Sequence, residues 1–575
     1  MHTSDTPHDP LAREAAAALD GAFHAALAPL SGGLSPISLL LAWADWSLHL
    51  MTQPAQSARL ALQAPRLLVE APAPGAEDLR FSHPGWAQWP FAPLVQAYLG
   101  AEAWWRDATA LRGMTAHHQE LARVFARQWL DTLSPANFAL TNPEVLQRTA
   151  ERFGGNFADG AAIALDQWRL RQGLPPLQPS EHPYQPGVDL AVTPGKVVHR
   201  NALVELIQYE ARTPRVHAEP VFIVPSWIMK YYVLDLSPHN SLVRWLVSQG
   251  HTVFIVSWRN PDEGDALLDM DDYLQLGVFD PLSAIARLLP GAAVHACGYC
   301  LGGTLLSIAA AALARPQRVQ RAELLAPLAS VSLLAAETDF SEPGEMGVLI
   351  DESQVAMLED QMAERGFLSG RQMAGSFQFL HSRELVWSAL TRERLLGERL
   401  RPNDLMAWNA DVTRMPAAMH SEYLRRCYLR NELAEGLYPV EGEPVSLADI
   451  RQPVFAVGTE KDHVSPWRSV YKLHRLTHTE LCFVLTNGGH NAGIVSEPGH
   501  PRRHYAMHTT RPGDPVRDAD AWQARAARHE GSWWLAWHAW LLRHGSGRRV
   551  AARHIDAAAA LCDAPGRYVL VRYHD

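Results

Sequence analysis

Cysteine is scarce in this chain, with five residues scattered over 575. That is too few for the disulfide framework of a secreted protein, and a reducing cytosol is the expected compartment. A basic excess is also missing: 51 Lys and Arg face 61 Asp and Glu, a formal net charge of −10. That balance argues against nucleic acid as the main partner. Long apolar runs are lacking as well. The most membrane-like stretch, Ile37–Met51, is interrupted by Asp45 and His49 and falls short of the roughly 20 residues a span requires, so no transmembrane segment is expected. It reads as an amphipathic helix, packed on the protein itself or lying on another hydrophobic surface. The opening residues lack the basic-then-apolar pattern of a secretory leader. Phosphate-cradling G-x-x-x-x-G-K and dinucleotide-binding G-x-G-x-x-G motifs are absent.

What is present is apolar material for a sizeable core, 47% of residues against 19% charged. Two textures divide the chain. Residues 1–186 read as a mainly helical N-terminal domain, with 3.6-residue periodicity in Leu94–Ala110, Ala116–Leu133 and Pro143–Leu170. Breaks fall at Ala71–Gly75 and Ser134–Pro135, and Leu174–Pro186, with five prolines, is the expected linker. From 187 to 575 short apolar strands alternate with helices. The expected strands are Leu203–Glu210, Pro220–Pro225, His251–Trp258, Ala293–Gly298, Arg321–Leu325, Pro453–Gly458 and Leu481–Leu485. Such alternation implies a parallel α/β sheet. The rhythm stops at about 327–450, too long for a loop, so this segment is expected to be a helical cap inserted over the sheet.

Three of the expected strands end in a reactive side chain. Gly298-Tyr299-Cys300-Leu301-Gly302-Gly303 places a cysteine at a strand-to-helix turn framed by Gly298, Gly302 and Gly303. A G-x-nucleophile-x-G turn is the elbow of the α/β-hydrolase fold, with cysteine here in place of the usual serine. The helix that follows aims N–H groups at the site, which favours a thiolate and an oxyanion. Asp462 follows the strand Pro453–Gly458, and His490 closes the Gly488-Gly489-His490 turn after Leu481–Leu485. The chain order Cys300, Asp462, His490 is that of nucleophile, acid and histidine in this fold.

Each signal has a plainer reading. Cys300 can be a buried apolar cysteine, Asp462 a helix N-cap and His490 a loop histidine. Cys297-Gly298-Tyr299-Cys300 is also a C-x-x-C, but a pair split between a strand and its exit lacks the geometry of a helix-starting redox dithiol. His500, His504 and His508 have helical spacing, yet no cysteine or carboxylate cluster completes a metal site, so no metal is expected.

Beyond the triad, the chain resembles the single-subunit polyhydroxyalkanoate synthases from about Phe81 to Arg572. The resemblance rests on Leu133–Phe138, Asn142–Val145, Leu190–Val198, Lys230–Pro238 and Ser257–Asp262. Further support comes from Trp408–Asp411, Thr413–Pro416 with His420, Gly531–Trp534 and Asp563–Gly566. It implies polymerisation of (R)-3-hydroxyacyl-CoA with release of CoA, the thioester being substrate and no cofactor being needed. Cys300 would carry the acyl chain, His490 would act as general base, and Asp462 would serve His490 or the substrate hydroxyl. Leu301 and the Trp227–Ile228 loop would supply oxyanion N–H groups. A homodimer on polyester granules in the cytoplasm is also implied. The elbow resembles the short-chain type more than the medium-chain type. Met229 replaces an asparagine common in the family, and the first 70 residues match poorly. A thioesterase or depolymerase using the same triad, or a weakly active granule-bound homologue, are the alternatives.

Overall fold

A computed structural model of the chain describes residues 10–28, 31, 33–67, 70, 78–178, 184–315, 322–380, 382–555 and 560–572. The break at Ala71–Gly75 and residues 179–183 of the proline-rich linker lie outside the described residues. The chain divides into two compact units. One comprises Leu30–Pro183 with Ala374–Pro402, the other Met1–Pro29, Tyr184–Met373 and Asn403–Asp575.

The smaller unit is helical. It contains α2 (Pro36–Thr52), α3 (Pro54–Leu67), α4 (Phe91–Thr109), α5 (Ala116–Thr132), α6 (Pro143–Glu151) and α7 (Gly155–Arg171). Local chemistry sets their starts. Ser35, Thr115 and Asn142 each cap a helix by accepting from its first-turn N–H groups, and Pro36 and Pro143 sit where no N–H is missed. The single helix expected over Pro143–Leu170 is two, because Gly154 adopts φ 82° between them. Asp131, its side chain 2% exposed, is ion-paired to Arg80 at 3.0 Å and to Arg383 at 2.8 Å.

The larger unit is built on an eleven-stranded sheet. Its strands are β1 (Gly195–Arg200), β2 (Val204–Tyr209), β3 (Val221–Val224), β4 (Val253–Trp258), β5 (Val294–Tyr299), β6 (Leu328–Leu334), β7 (Val454–Thr459), β8 (Leu481–Thr486), β9 (His504–Thr510), β10 (Ala527–Glu530) and β11 (Cys562–Asp563). In space they run β10-β9-β8-β7-β6-β5-β3-β4-β2-β1-β11. The six central strands from β8 to β4 are parallel, and the flanks are antiparallel. Strands β3, β4, β5, β7 and β8 are buried along their whole length, so they read as apolar runs rather than as alternation. The expected α/β-hydrolase architecture is therefore present, with β3 and β4 exchanged in spatial order beside the elbow strand β5. Helix α1 (Pro10–Leu27) belongs to this unit, where His24 Nδ1 lies 2.9 Å from Asp360 Oδ2.

Two expectations need correction. No strand forms at Arg321–Leu325: Arg321 lies outside the described residues and Ala322–Leu324 is one 3-10 turn. The strand is Leu328–Leu334, starting after Pro327, whose missing N–H a sheet interior does not tolerate. The segment between β6 and β7 therefore runs over 335–453, and its stretch Ala374–Pro402 belongs to the smaller, helical unit rather than to the unit of the sheet. The histidines with helical spacing are not helical either. His504 and His508 lie on β9, opposite Glu530 and Phe483, and His500 precedes the strand. Four steps along the strand separate the two β9 histidines by about 13 Å, too far to share one ion.

Candidate active site

The elbow is shaped by close packing of backbone. Cys300 sits at φ 53° and ψ −126°, a strained conformation for any residue with a side chain. It is held there because its N–H donates to the Leu334 carbonyl of β6 at 2.9 Å, while its own carbonyl accepts from Gly303 at 2.8 Å. The glycine frame is a matter of space. A Cβ on Gly302 would lie 2.2 Å from the Val224 carbonyl oxygen, and one on Gly298 would lie 2.4 Å from Gly303 Cα. The helix after the elbow, α8 (Leu301–Leu313), therefore starts against the exit of β3. Leu301 is its first residue, where an N–H has no intrahelical acceptor.

Asp462 and His490 meet because β7 and β8 are parallel and in register, Thr459 opposite Thr486. Their exit loops are tied together: the Glu460 N–H donates to Thr486 and the Lys461 N–H to Gly488, each at 2.9 Å. Gly488 adopts φ 109° to make the turn. His490 Nδ1 then lies 2.9 Å from Asp462 Oδ2 and 3.1 Å from Oδ1. The other bonds to Asp462 fill both oxygens. Oδ1 accepts the Val464 and Ser465 N–H groups at 3.0 and 2.8 Å, and Oδ2 accepts the Thr459 hydroxyl at 2.9 Å. Asp462 is not a helix N-cap, since the next helix starts at Trp467 after Pro466; its carboxylate instead closes the turn at 462–465 while also pairing with the histidine.

Burial by itself would pull the His490 imidazole down. The Asp462 carboxylate, hydrogen-bonded to the ring, and the nearby Cys300 sulfur hold it well above the ordinary histidine value. Cys300 is 7% exposed. Cys297 is a different case: it lies fully buried inside β5, and burial pushes its thiol far above the usual range. His420 in the cap is likewise buried, and its imidazole is pushed down to about 4 by desolvation.

The loop after β3 is fixed by the cap. Thr413 donates through its hydroxyl to the Trp227 carbonyl and through its N–H to the Ile228 carbonyl, and Met229 forms a β-bridge with Val412. In a trans peptide the N–H lies opposite the carbonyl, so the Ile228 N–H points away from Thr413. Met229 enters this arrangement through its backbone, which a change from asparagine leaves intact. Cap residue Asn409 also accepts from Asn491 at 3.2 Å, and Asn491 accepts the Tyr299 hydroxyl at 2.5 Å. Sequence reading missed Thr413 as a loop clamp, Asn491 as a link from the elbow to the cap, and the buried carboxyl of Glu337 just past β6. The first two act through contacts distant in sequence. Among the described residues no group of three or more His, Cys, Asp or Glu side chains is arranged to hold a metal ion, and no helix is long and apolar enough to cross a membrane.

Parallel strands, a strained nucleophile elbow and a carboxylate–histidine pair at one sheet edge define an enzyme of the α/β-hydrolase fold, and a family model of that fold matches residues 219–497. Two further family models match, described as the poly-beta-hydroxybutyrate polymerase (PhaC) N-terminus over residues 77–246 and the poly-beta-hydroxybutyrate polymerase N terminal over 14–56. The second match corrects the expectation that the first 70 residues fall outside the resemblance. The chain is 38% identical over 505 residues to a poly(3-hydroxyalkanoate) polymerase of Methylorubrum extorquens, covering 87% of this chain and 82% of the relative. It is 37% identical over 503 residues to the polymerase subunit PhaC of Cupriavidus necator, covering 86% and 83%. A third relative, poly(3-hydroxyalkanoate) polymerase 2 of Ectopseudomonas oleovorans, is 33% identical and covered over 87% of both chains. The chain belongs to the poly(3-hydroxyalkanoate) polymerase family and is a polyhydroxyalkanoate synthase.

Proposed function

We propose that this synthase polymerises (R)-3-hydroxyacyl-CoA through a thioester on Cys300, served by His490 and Asp462. The observation that carries the reading is the Asp462–His490 pair, closed at 2.9 Å, at the sheet edge where Cys300 stands strained in the elbow. His490 takes the Cys300 proton, and the thiolate attacks the acyl carbonyl carbon. The oxyanion is met by the Leu301 N–H and the Ile228 N–H of the loop carrying Trp227. Collapse breaks the bond to the CoA sulfur, which leaves with the proton from His490. In the second half, His490 removes a proton from a hydroxyl, which attacks the thioester, forms the ester and releases Cys300. Asp462 orients His490 throughout. With five hydrogen-bond contacts on two buried oxygens, it has no lone pair left for a substrate hydroxyl.

Water would turn this chemistry into hydrolysis, and the 38% and 37% identity to poly(3-hydroxyalkanoate) polymerases over most of the chain supports a synthase rather than a thioesterase. Helix α2 supports work at a polyester granule surface within the cytoplasm. Leu40, Trp43, Leu48 and Met51 are 57–77% exposed on it, beside an apolar cavity of about 550 Å³ lined by Trp46, Trp105, Phe125 and Trp129. A homodimer completes the proposal, to be read by sedimentation. The decisive experiment follows CoA release from (R)-3-hydroxybutyryl-CoA, with turbidity and product mass in parallel. Insoluble polyester formed by the wild type and absent in Cys300→Ala is the expected result. Free 3-hydroxybutyrate as the only product would make the protein a hydrolase.

A further inference from the structure

The last residue of β6 and the three that follow it wrap around the elbow. The Leu334 carbonyl accepts from Cys300 at 2.9 Å and the Ala335 N–H donates to Val457 on β7 at 2.8 Å. The Ala336 methyl stands 2.4 Å from where a Gly303 Cβ would be, and the Glu337 carbonyl accepts the Thr304 hydroxyl of α8 at 2.7 Å. Glu337 is thereby delivered to the sheet edge that carries the triad. It is 4% exposed, and its Oε1 has no hydrogen-bond partner. Its ionisable neighbours are Asp462, Cys300 and His490, then Lys472, and it lies close enough to Tyr423 and Tyr428 of the cap to act on them electrostatically.

A buried carboxyl with an unfilled oxygen costs stability, and the fold shows no return for it. The reaction does have a use for such a group. A hydroxyacyl unit on Cys300 presents two oxygens: the carbonyl, which the backbone donors meet, and the 3-hydroxyl, which Asp462 cannot reach because its own oxygens are filled. Resting on the thioester reading above, we propose that Glu337 binds the 3-hydroxyl of the hydroxyacyl unit at Cys300 and so selects hydroxylated over plain acyl groups. Burial, with Asp462 and Cys300 alongside, pushes the Glu337 carboxyl well above its ordinary range. It is then the neutral acid, with one O–H to donate and one oxygen to accept, the complement of a hydroxyl.

The test compares (R)-3-hydroxybutyryl-CoA with butyryl-CoA, measuring acylation of the full-length protein by rapid mixing and intact mass. The wild type favours the hydroxylated substrate. In Glu337→Met, which fills the space with an apolar chain, that preference falls about tenfold or more, the loss expected for one buried hydrogen bond. Glu337→Gln, which keeps a donor and an acceptor, retains most of it. Glu337→Met also melts no lower than the wild type, since it removes an unpaired polar group. An equal loss of rate on both substrates, or an unchanged preference, overturns the proposal. Should Glu337→Met not yield folded protein, Glu337→Asp, which withdraws the carboxyl by one methylene, reads the same ratio, and an unchanged value there overturns it too. CoA release with no acyl mass on Cys300 in the wild type would refute the thioester reading and this proposal with it, whereas the other failures refute this one alone.

Discussion

Replacing Asp462 with asparagine exchanges a single heavy atom and should cost the enzyme nearly all of its acylation rate. In the native site Oδ1 meets two backbone N–H donors, and Oδ2 meets the Thr459 hydroxyl and His490 Nδ1. An asparagine NH₂ at the Oδ1 position would face two N–H groups that cannot turn away, leaving buried donors unpaired at about 1–3 kcal/mol each. The amide therefore settles with its NH₂ toward Thr459 and His490. The Thr459 hydroxyl can rotate to accept, but His490 Nδ1 must then also accept, which puts the ring proton on Nε2. An imidazole protonated there cannot take the proton of Cys300. By analogy with carboxylate-to-amide changes in other triads, acylation should fall about 10³–10⁴-fold, equivalent to about 4–5 kcal/mol in the barrier. Rapid-mix CoA release and the mass of the acyl-enzyme give the rate. An NMR titration of His490 should show its pKa falling from its raised position, because the Asp462 charge among the causes of that rise is gone. An Asp462→Asn enzyme keeping more than a tenth of the native acylation rate would refute the role of Asp462 as the orienting group.

Gly303→Ala should lower the urea midpoint by about 1–3 kcal/mol equivalent through overpacking, because its new methyl falls 2.4 Å from Ala336 Cβ. Adding Ala336→Gly should recover part of that loss, whereas two independent, additive costs would refute the contact. Acid should destabilise the protein below about pH 6.5. Burial holds His295, His420 and His474 down to about 4 and His251 to about 2. Each therefore stays neutral in the fold while the unfolded chain takes up a proton. The stability these groups lend is present above the unfolded value and lost as pH falls toward the folded one, by about 1.4 kcal/mol per histidine at pH 5.5. A urea midpoint flat from pH 7.5 to 5 would contradict this. Thr413→Val removes the hydroxyl bond to the Trp227 carbonyl, so it should cost about 1–3 kcal/mol of stability and lower the acylation rate. An unchanged rate would mean that the clamp does not position the loop. Paired charges at Leu40 and Trp43 should weaken binding to polyester granules in a pelleting assay while CoA release in solution persists.

The elbow was legible in the residues because its demands are local. A turn with Cys300 at positive φ and a helix starting against the β3 exit needs glycine at 298, 302 and 303, and few other sequences suit it. The parallel strands were legible for a similar reason: burial on both faces imposes unbroken apolar runs such as Val221–Val224 and Leu481–Thr486. The signal failed where packing outweighed local pattern. Arg321–Leu325 carries alternating residues like a strand, yet the sheet recruits Leu328–Leu334 beyond Pro327. The spacing of His504 and His508 is equally compatible with a helix, and only pairing with Leu481–Thr486 makes it a strand.

The sequence by itself determined the order of nucleophile, acid and histidine, because each of the three ends a recognisable element. The tertiary structure decided what the acid touches. Only the register of β7 on β8, with the loop bonds around Asp462, shows that its oxygens are spent on holding His490 and on its own turn. Glu337 belongs wholly to the second kind of knowledge. Nothing in Ala335-Ala336-Glu337-Thr338 marks a functional carboxyl, and its proximity to Cys300 exists only because parallel strands β5, β6 and β7 discharge their ends at one edge.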